Sequence, residues 1–386
     1  MSWPMVKIGD VADVLPGFAF KSKELGDEGA ALVKIGNIQD GGNVNLSSCQ
    51  RLPKSHYLKK HDKYRLKNDD IVIAMTGATA GKIGRVKASQ GDELLLNQRV
   101  AKFAPRTVHP DFLWFAIGNE KYRAKFYGLG GGAAQPNMSG PQIAAVEIPL
   151  PDLPTQERIA AILSAYDDLI ENNRRRIALL EQAARLLYRE WFVNFRFPGH
   201  ETAKFVDGLP EGWERMPIGD IWSIAYGKNL PTTKISDAGD FPVHGADSII
   251  GYYEKKNVDE RLCLVTCRGN GSGNVRRTFG PTFVTNNCFV LRPDHRADEL
   301  SFHFAINAMT ELKLQDMRTG AAQPQLTLGG IAHVQLSIPS AQLLAKYNEI
   351  AGPNFDLADS VRLQNQQLTA ARDLLLPRFM DGRIPV

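Results

Sequence analysis

The residues best suited to chemistry in this sequence lie in glycine-rich turns that carry long or polar side chains. Guanidinium groups bind the edge of guanine through two hydrogen bonds, and amide groups bind adenine in the same way, so these turns suit contacts with nucleobases. The candidates are Arg268, Asn270, Asn274, Arg276 and Arg277 in the second half of the chain, and Lys34, Thr79, Lys82 and Arg85 in comparable turns of the first half. Two alternatives stay open: phosphate contacts, which position a nucleic acid without specifying its sequence, and ordinary surface positions.

Motifs for catalysis are not found. The segment Gly77–Lys82 is similar to a phosphate-binding loop, but only three residues separate Gly77 from Gly81, and Ile83 stands where the metal-binding Ser or Thr belongs. We interpret it as a structural turn. The sequence contains neither a GxGxxG strand–helix unit nor an Asp-Pro-Pro-aromatic or Asn-Pro-Pro-aromatic segment, and its 8 histidines lack metal-ligand spacing. We therefore predict a protein that is not an enzyme and that has no cofactor or metal.

A second group of candidates lies in a segment that occurs twice. GAAQPNMSGPQIAAVEIPLP (132–151) aligns without a gap on GAAQPQLTLGGIAHVQLSIP (320–339). Glycines before a short polar segment suit a loop whose backbone approaches a partner closely. The predicted binding residues are Gln135 and Asn137 in the first copy, and Gln323 and Gln325 in the second. The alternative is a structural connector into the helix that follows.

That helix is predicted from Pro154 to about Trp191. Apolar residues recur at spacings of three and four, and no glycine interrupts them. Written as heptads, the two rows are Leu163, Ile170, Ile177, Ala184, Trp191 and Ile159, Tyr166, Asn173, Leu180, Leu187. A single Asn on such a row is typical of a coiled coil whose register it sets. One core helix of a bundle is the alternative.

The pattern returns near the end of the chain, so the sequence indicates two globular units, each followed by a long helix. Upstream, WPMVKIGDVADVLPG (3–17) is similar to WERMPIGDIWSIAYG (213–227). Self-similarity at this period indicates duplicated domains. The second helix begins near Ala341 and contains Gly352-Pro353, which we expect to break or kink it.

Composition and charge restrict the possible partners. The 386 residues suffice for two domains, and residues 1–153 carry 20 Lys+Arg against 15 Asp+Glu, whereas residues 200–338 carry 14 against 16. Seven cations between Arg51 and Lys67, with Tyr57 and Tyr64 among them, favour a polyanion such as DNA; a solvated lysine-rich surface is the alternative.

The cysteines and the hydropathy of the sequence indicate the cellular compartment in which the protein is expected. The four scattered cysteines predict neither a disulfide framework nor a zinc site, and Cys263 and Cys267 alternate with apolar residues as buried strand positions do. No apolar run is long enough to span a membrane, and the first residues lack a signal-peptide pattern. We therefore expect a cytoplasmic protein without a membrane partner.

Together, the two globular units, the Ala-Ala-Gln-Pro segments and the long helices resemble the specificity subunits of type I restriction–modification systems. The resemblance covers essentially the whole chain. It implies an α+β fold in which two strand-rich α/β target recognition domains are separated by two long antiparallel helices that form a coiled coil, with pseudo-two-fold symmetry. The expected domains are target recognition domain 1 (1–153), a first spacer helix (154–197), target recognition domain 2 (198–339), and a second spacer helix with the C-terminal tail (340–386).

The resemblance also implies the function and the partners. Each domain would read one half of a split site in double-stranded DNA, and the helices would act as a molecular ruler. Adenine methylation and DNA cleavage would belong to two methylation (M) subunits and to motor–endonuclease (R) subunits. Gly352-Pro353 and the polar Asn354, Asn365 and Arg372 depart from a continuous second helix with an apolar seam. A two-domain scaffold on a coiled coil, without sequence-specific DNA binding, is the alternative.

The ends of the two helices are the candidate surfaces for the methylation subunits. The apolar seam of the first helix offers more surface than an interrupted second helix covers, so aromatic residues at its end should be exposed in the isolated chain. The predicted partner-binding residues are Tyr188, Trp191, Phe192 and Phe195, with Phe379 at the corresponding place in the second helix. The alternative is that Trp191 and Phe192 pack under the second globular unit as core.

Overall fold

The computed structural model describes residues 3–130, 136–293, 301–320 and 324–386. The chain forms two compact units, and each of them contains part of both long helices. Unit 1 consists of Met1–Ile170 with Gln367–Val386, and unit 2 consists of Glu171–Gln366. No helix in the part of the chain that the structure describes is long and apolar enough to cross a membrane.

Unit 1 is built from short strands and short helices. Its strands are β1 (Met5–Lys7), β2 (Ala12–Pro16), β3 (Ala30–Val33), β4 (Arg51–Leu52), β5 (Arg65–Leu66), β6 (Ile71–Ala74), β7 (Ile83–Arg85), β8 (Leu94–Leu96), β9 (Val100–Pro105) and β10 (Glu147–Pro149). Its short helices are α1 (Ile8–Val11), α2 (Pro110–Ile117), α3 (Glu120–Gly128) and α4 (Gly140–Ala144). The strands form an antiparallel sheet β2-β9-β6-β7, a mixed sheet β4-β3-β8-β5 and the pair β1-β10.

The strand β6 shows why the core of unit 1 has two parts. Its side chains alternate between the two faces of the sheet, and all four are buried. Ile71 and Ile73 pack into one apolar cluster with the helices, whereas Val72 and Ala74 pack into a second cluster with the mixed sheet. The continuous apolar run in the sequence thus reflects burial on both faces.

The first long helix, α5 (Leu153–Tyr188), continues as a π-helical turn at Arg189–Val193. Every member of its first predicted heptad row, Leu163 to Trp191, is buried, and the charged residues Glu157, Glu171 and Arg174 to Arg176 are exposed. The predicted long amphipathic helix is confirmed.

Unit 2 repeats the order of elements of unit 1. Its strands are β11 (Phe205–Val206), β12 (Leu209–Pro210), β13 (Glu214–Pro217), β14 (Trp222–Tyr226), β15 (Phe241–His244), β16 (Ile249–Tyr253), β17 (Cys263–Thr266), β18 (Val275–Arg277), β19 (Phe283–Val284), β20 (Cys288–Pro293) and β21 (Gln335–Ile338). Its helices are α6 (Ile218–Ile221), α7 (Phe302–Glu311), α8 (Leu328–Ala332) and most of α9 (Ala341–Met380).

The main sheets of unit 2 correspond to those of unit 1, except that the sheet β16-β15-β19 has three strands where β4-β3-β8-β5 has four. The antiparallel sheet β14-β20-β17-β18 has the order of β2-β9-β6-β7, and β15 pairs in parallel with β19 as β3 does with β8. Cys263 and Cys267 are buried, as their alternation with apolar residues predicted. The sequence duplication is therefore a duplication of fold.

Within each unit the long helices pack side by side and run antiparallel. In unit 2, Ile177 of α5 packs against Ala358 and Val361 of α9. In unit 1, Arg372 of α9 donates to the carboxylate of Asp167 in α5 at 2.6 Å. In unit 2, Asn173 meets Asn365 whereas the later Ile177 meets the earlier Val361, so α5 and α9 run antiparallel there, as the resemblance implied.

Of the break or kink predicted at Gly352-Pro353, the break is wrong, because α9 continues through both residues. A proline inside a helix removes one backbone hydrogen bond, and its ring clashes with the carbonyl four residues earlier, at a cost of about 3 kcal/mol that packing has to offset. Ala351 and Phe355, on either side of Pro353, are buried in the core of unit 2 together with Tyr347. Burial of these apolar neighbours holds the helix on both sides of the proline.

Candidate nucleic-acid interface

In unit 1 the glycine-rich turn lies beside Pro136 and Asn137, the described part of the second candidate segment, although the two were predicted as separate sites. Gly77, in the turn after β6, donates its backbone N–H to the carbonyl of Pro136 at 3.0 Å. Thr76 and Asn137 pair as an isolated antiparallel bridge next to this bond. Two segments that are 60 residues apart in the sequence thus share one backbone connection.

Unit 2 makes the same connection with different side chains. Gly269 donates its N–H to the carbonyl of Pro324 at 3.1 Å, and Arg268 pairs with Gln325 as Thr76 does with Asn137. The pairing brings two exposed polar side chains of the predicted set, Arg268 and Gln325, to one surface.

Each glycine-rich turn contains a second glycine with a structural role, which accounts for the resemblance of Gly77–Lys82 to a phosphate-binding loop. Gly81 and Gly273 have φ values of +80° and +90°, which favour glycine. A Cβ atom on Gly81 would lie 2.8 Å from the carbonyl oxygen of Arg123, and one on Gly273 would lie 2.6 Å from the backbone nitrogen of Gln315. Both glycines therefore let the turn pack tightly against the following helical segment, which supports the structural interpretation.

A third element of this surface was missed in the sequence. The largely apolar stretch 93–105 is interrupted between β8 and β9 by a β-turn in which Val100 donates its N–H to the carbonyl of Asn97 at 2.9 Å. Its central residues, Gln98 and Arg99, are exposed. Unit 2 has an equivalent turn, in which Cys288 donates to Thr285 at 3.1 Å. We call these the strand-break turns.

The three elements form one surface in each unit, which we call the turn face. The strand-break turns could have been identified from the sequence. In both copies two polar residues interrupt an apolar strand, and the two interruptions lie 188 residues apart, as the repeats do. The turn face of unit 1 consists of Thr76, Gly77, Ala78, Thr79, Gln98, Arg99, Pro136 and Asn137. The turn face of unit 2 consists of residues 268–274, Asn286, Asn287, Pro324 and Gln325.

Five of the predicted DNA-binding residues are exposed on the turn faces: Asn137, Arg268, Asn270, Asn274 and Gln325. Arg268 stacks its guanidinium group over the ring of Tyr226, 5.7 Å from the centroid. Thr79 lies half-buried at the edge of the turn face of unit 1. These side chains are placed where a partner can reach them.

Arg277 is not on the turn face. Its side chain is only 6% exposed and lies 2.7 Å from Asp359 of α9 and 2.9 Å from Glu181 of α5. Burial lowers the pKa of this guanidinium from its ordinary value, although both carboxylates oppose that change. Arg277 therefore attaches β18 to the helices, and we no longer regard it as a DNA-binding candidate.

Other predicted cations are also engaged inside their unit. Arg85, the counterpart of Arg277 at the end of β7, forms ion pairs with Asp69 and Asp111. Lys82 pairs with Asp40 at 2.9 Å, and its side chain is largely buried. Both residues are engaged by carboxylates away from the turn face.

Arg276 and Lys34 have neutral partners. Arg276 donates to the carbonyl of Gly245 and to Cys288 Sγ, and Lys34 donates to the side-chain oxygen of Gln50. Gln135 and Gln323 lie outside the described residues.

The predicted exposure of the aromatic residues at the helix end is wrong. Trp191 is 7% exposed, and Tyr188 and Phe192 are buried with it in the core of unit 2. Phe195 is half-buried, and Phe379 is buried in the core of unit 1. The physical reason is that rings of unit 2 itself cover them: Phe304 and Tyr347 lie 5.3 and 5.1 Å from Phe192, centroid to centroid.

The basic segment of unit 1, by which we mean residues 51–67, lies beside the turn face. It folds as two short 3₁₀ helices, Lys54–His56 and Lys59–Tyr64. Lys60 stacks its ammonium group over the ring of Phe18, 5.2 Å from the centroid. Phe18 forms a bridge with Asn97, the first residue of the strand-break turn. This chain of contacts connects the exposed lysines to Gln98 and Arg99.

The larger cavity of unit 1, about 700 Å³, lies elsewhere, between α2, α3 and the end of α9. Trp114 and Met380 line it together with Lys82, Arg123 and Arg372. Each of these three cations forms an ion pair with a carboxylate that also lines the cavity. These three cations are thus already paired with carboxylates, unlike the exposed lysines beside the turn face.

Comparisons with known proteins identify the fold and its relatives. The family model of the type I restriction modification DNA specificity domain matches residues 2–182 and 210–343. The type I restriction enzyme MjaIX specificity subunit of Methanocaldococcus jannaschii is 24% identical over 412 residues, covering 100% of this chain and 94% of that protein. The HindI specificity subunit of Haemophilus influenzae is 25% identical over 361 residues, covering 72% of this chain and 78% of that protein.

A solved structure shares the fold. The S subunit of a type I restriction–modification system from M. genitalium matches with a TM-score of 0.62 at 19% identity, covering 98% of this chain and 96% of that one. The expected fold class, with two repeated strand-rich domains and long helices, is confirmed.

Proposed function

The chain belongs to the family of type I restriction–modification specificity subunits, and from this premise we propose that it selects the DNA on which such a complex acts. The turn face of unit 1 reads one half of a bipartite duplex target, and the turn face of unit 2 reads the other half. Adenine methylation is carried out by two M subunits, and cleavage by R subunits that join the complex in the cytoplasm. A specificity subunit is itself non-catalytic, so this chain supplies recognition.

The observation that carries the proposal is the duplication of the turn face. Each unit exposes amide or guanidinium groups on a backbone whose hydrogen bonds are the same in both copies. These are the side chains that bind base edges through two hydrogen bonds. One protein with two such surfaces suits a target with two half-sites.

The basic segment beside the turn face of unit 1 supports the proposal for DNA. Lys54, Lys59, Lys60, Lys63 and Lys67 are exposed. Phosphate contacts of this kind supply affinity that falls with salt and that does not depend on sequence. We propose that this segment holds the DNA backbone while the turn face reads bases.

The experiment is a map of methylated adenines in a bacterial host that expresses this chain with its M subunits. The expected result is one bipartite motif that is absent when the chain is omitted. Replacing residues 198–339 by the corresponding region of another specificity subunit should change one half of the motif and leave the other half intact. Methylation without a motif, or the same motif without this chain, would favour the scaffold alternative.

A further inference from the structure

We propose that the two strand-break turns carry the specificity-determining side chains: Gln98 and Arg99 in unit 1, and Asn286 and Asn287 in unit 2. Arg99 contacts a guanine of one half-site, and the amides of Asn286 and Asn287 contact adenine in the other. This inference rests on the proposed function and names the residues and base classes through which it works.

The backbone of each turn is fixed on both sides by the neighbouring strands. In unit 1, Asn97 donates its N–H to the carbonyl of Val33 at 3.1 Å, and the carbonyl of Arg99 accepts from Met75 at 2.9 Å. The central residues therefore project from a scaffold that is already ordered before any partner binds.

Unit 2 repeats this scaffold bond for bond. Thr285 donates to the carbonyl of His244 at 3.1 Å, and the carbonyl of Asn287 accepts from Cys267 at 2.8 Å. The backbone is thus the same in both copies, whereas the central side chains differ: Gln-Arg in one and Asn-Asn in the other. Constant backbone with different hydrogen-bonding side chains is the arrangement that two different half-sites require.

The side chains themselves have no structural task in the part of the chain that the structure describes. None of the four forms a side-chain hydrogen bond or an ion pair with a described residue. The nearby cations Lys82, Arg85 and Arg277, by contrast, are all paired with carboxylates. A guanidinium or amide group held at the surface without a protein partner retains its full hydrogen-bonding capacity for a ligand.

The surroundings of Arg99 favour an approaching base. A depression of about 400 Å³ opens beside it, lined by Met75, Thr76, Gln98, Arg99, Pro136 and Asn137. None of these residues is acidic, so no carboxylate in the lining repels the phosphates of an approaching DNA. The amides of Gln98 and Asn137 border the same space and extend the set of donors and acceptors available to a base pair.

Phosphate binding by Arg99 is the competing role, and affinity measured on substituted DNA separates the two. A base contact changes discrimination at one base pair, whereas a phosphate contact changes affinity uniformly. The distinction requires the complete complex of this chain with its M subunits and a set of duplexes, each with one base pair of the methylated motif replaced.

The variants are Arg99→Ala in unit 1 and Asn286→Ala with Asn287→Ala in unit 2. For Arg99→Ala we expect the preference for one G·C pair of one half-site to fall by about 5- to 150-fold, with the other half-site unaffected. The unit 2 variant should lose discrimination at an A·T pair of the other half-site only. Both should unfold at the wild-type temperature, because these side chains have no described partner.

The matched control is Arg106→Ala. Arg106 is an exposed arginine just beyond the opposite end of β9, where it contacts Asp13 and backbone carbonyls. It should leave discrimination unchanged. Uniform loss of affinity by Arg99→Ala, or no loss, would overturn the assignment. A wild-type complex without any sequence preference would instead refute the proposed function, so the two failures are distinguishable.

Discussion

Asn173 of α5 donates its side-chain amide to Oδ1 of Asn365 in α9 at 2.9 Å. The sequence predicted each residue separately as a polar interruption of an apolar seam. The structure places the two opposite each other within unit 2, so each interruption satisfies the other. An amide pair on a coiled-coil seam fixes the register of the helices at a cost in stability.

A double-mutant cycle on this pair tests the interpretation. Asn173→Leu and Asn365→Leu should each stabilise the folded protein less than the added apolar surface alone would. The effect of the double variant on the free energy of unfolding should differ from the sum of the single effects by about 0.5–1.5 kcal/mol. The measurement is urea denaturation of the two single variants and the double variant. Strictly additive effects on the free energy of unfolding would show that the hydrogen bond contributes nothing.

Arg277→Ala should lower the free energy of unfolding by about 2 kcal/mol, because Asp359 and Glu181 lose their buried partner and keep only more exposed cations such as Arg362. DNA affinity per folded molecule should stay at the wild-type value. The control is Arg268→Ala on the turn face, which should show the opposite pattern: normal stability and weaker binding. Reduced affinity of a fully folded Arg277→Ala complex would restore it as a DNA contact.

The basic segment should determine the salt dependence of DNA binding. Replacing Lys54, Lys59, Lys60 and Lys63 by Gln should reduce the slope of log affinity against log salt concentration by about 1 for each lysine that contacts phosphate. The methylated motif should not change. Lys255 and Lys256, in the shorter equivalent loop of unit 2, provide the control substitution. An unchanged slope would mean that the segment is a solvated surface, the alternative that the sequence left open.

Trp191→Ala should destabilise unit 2 by about 3–5 kcal/mol, because it removes a buried ring and leaves a cavity. Tyr347 lies 6.4 Å from Trp191, centroid to centroid, and loses that contact. The check is urea denaturation beside scattering measurements of the complex with the M subunits. Normal stability with impaired assembly would return Trp191 to the role of a partner-binding residue.

Unit 2 should lose stability as the pH falls below neutrality. Burial lowers the pKa of His244 and of His303 to about 4, and the positive charges of Arg276 and Arg261 respectively add to that effect. The unfolded chain therefore binds more protons than the folded chain between about pH 6.5 and pH 4. The stabilisation is complete above pH 6.5 and decreases toward pH 4, by about 2 kcal/mol per histidine at pH 5.

His303→Phe tests this pH dependence, since a ring of similar size keeps the stacking between Phe302 and Phe355. Its unfolding free energy should fall less than that of wild type between pH 7 and pH 5. The exposed His56 of unit 1, changed to Gln, is the control. Equal losses in wild type and His303→Phe would exclude His303 as a cause.

Similarity between segments of the sequence predicted the repeats. Hydrophobic periodicity predicted the long helix, because it is a local property of the chain. It failed at Asn97–Val100, where Leu96 and Val100 continue the apolar pattern on both sides of a turn and hide it. The pairing of Arg277 was not predictable either, because its partner Asp359 lies 82 positions away in α9. Which polar residues remain available to a partner is decided by such tertiary contacts.

The four central side chains of the strand-break turns form no hydrogen bond or ion pair with a described residue, and this has an evolutionary consequence. If these residues read bases as we propose, substitutions at codons 98, 99, 286 and 287 change the target without removing a described side-chain hydrogen bond or ion pair. In the proposed complex one specificity subunit directs both methylation and cleavage, so a single substitution would redirect the two activities together. A host population could thus diversify its defences one codon at a time.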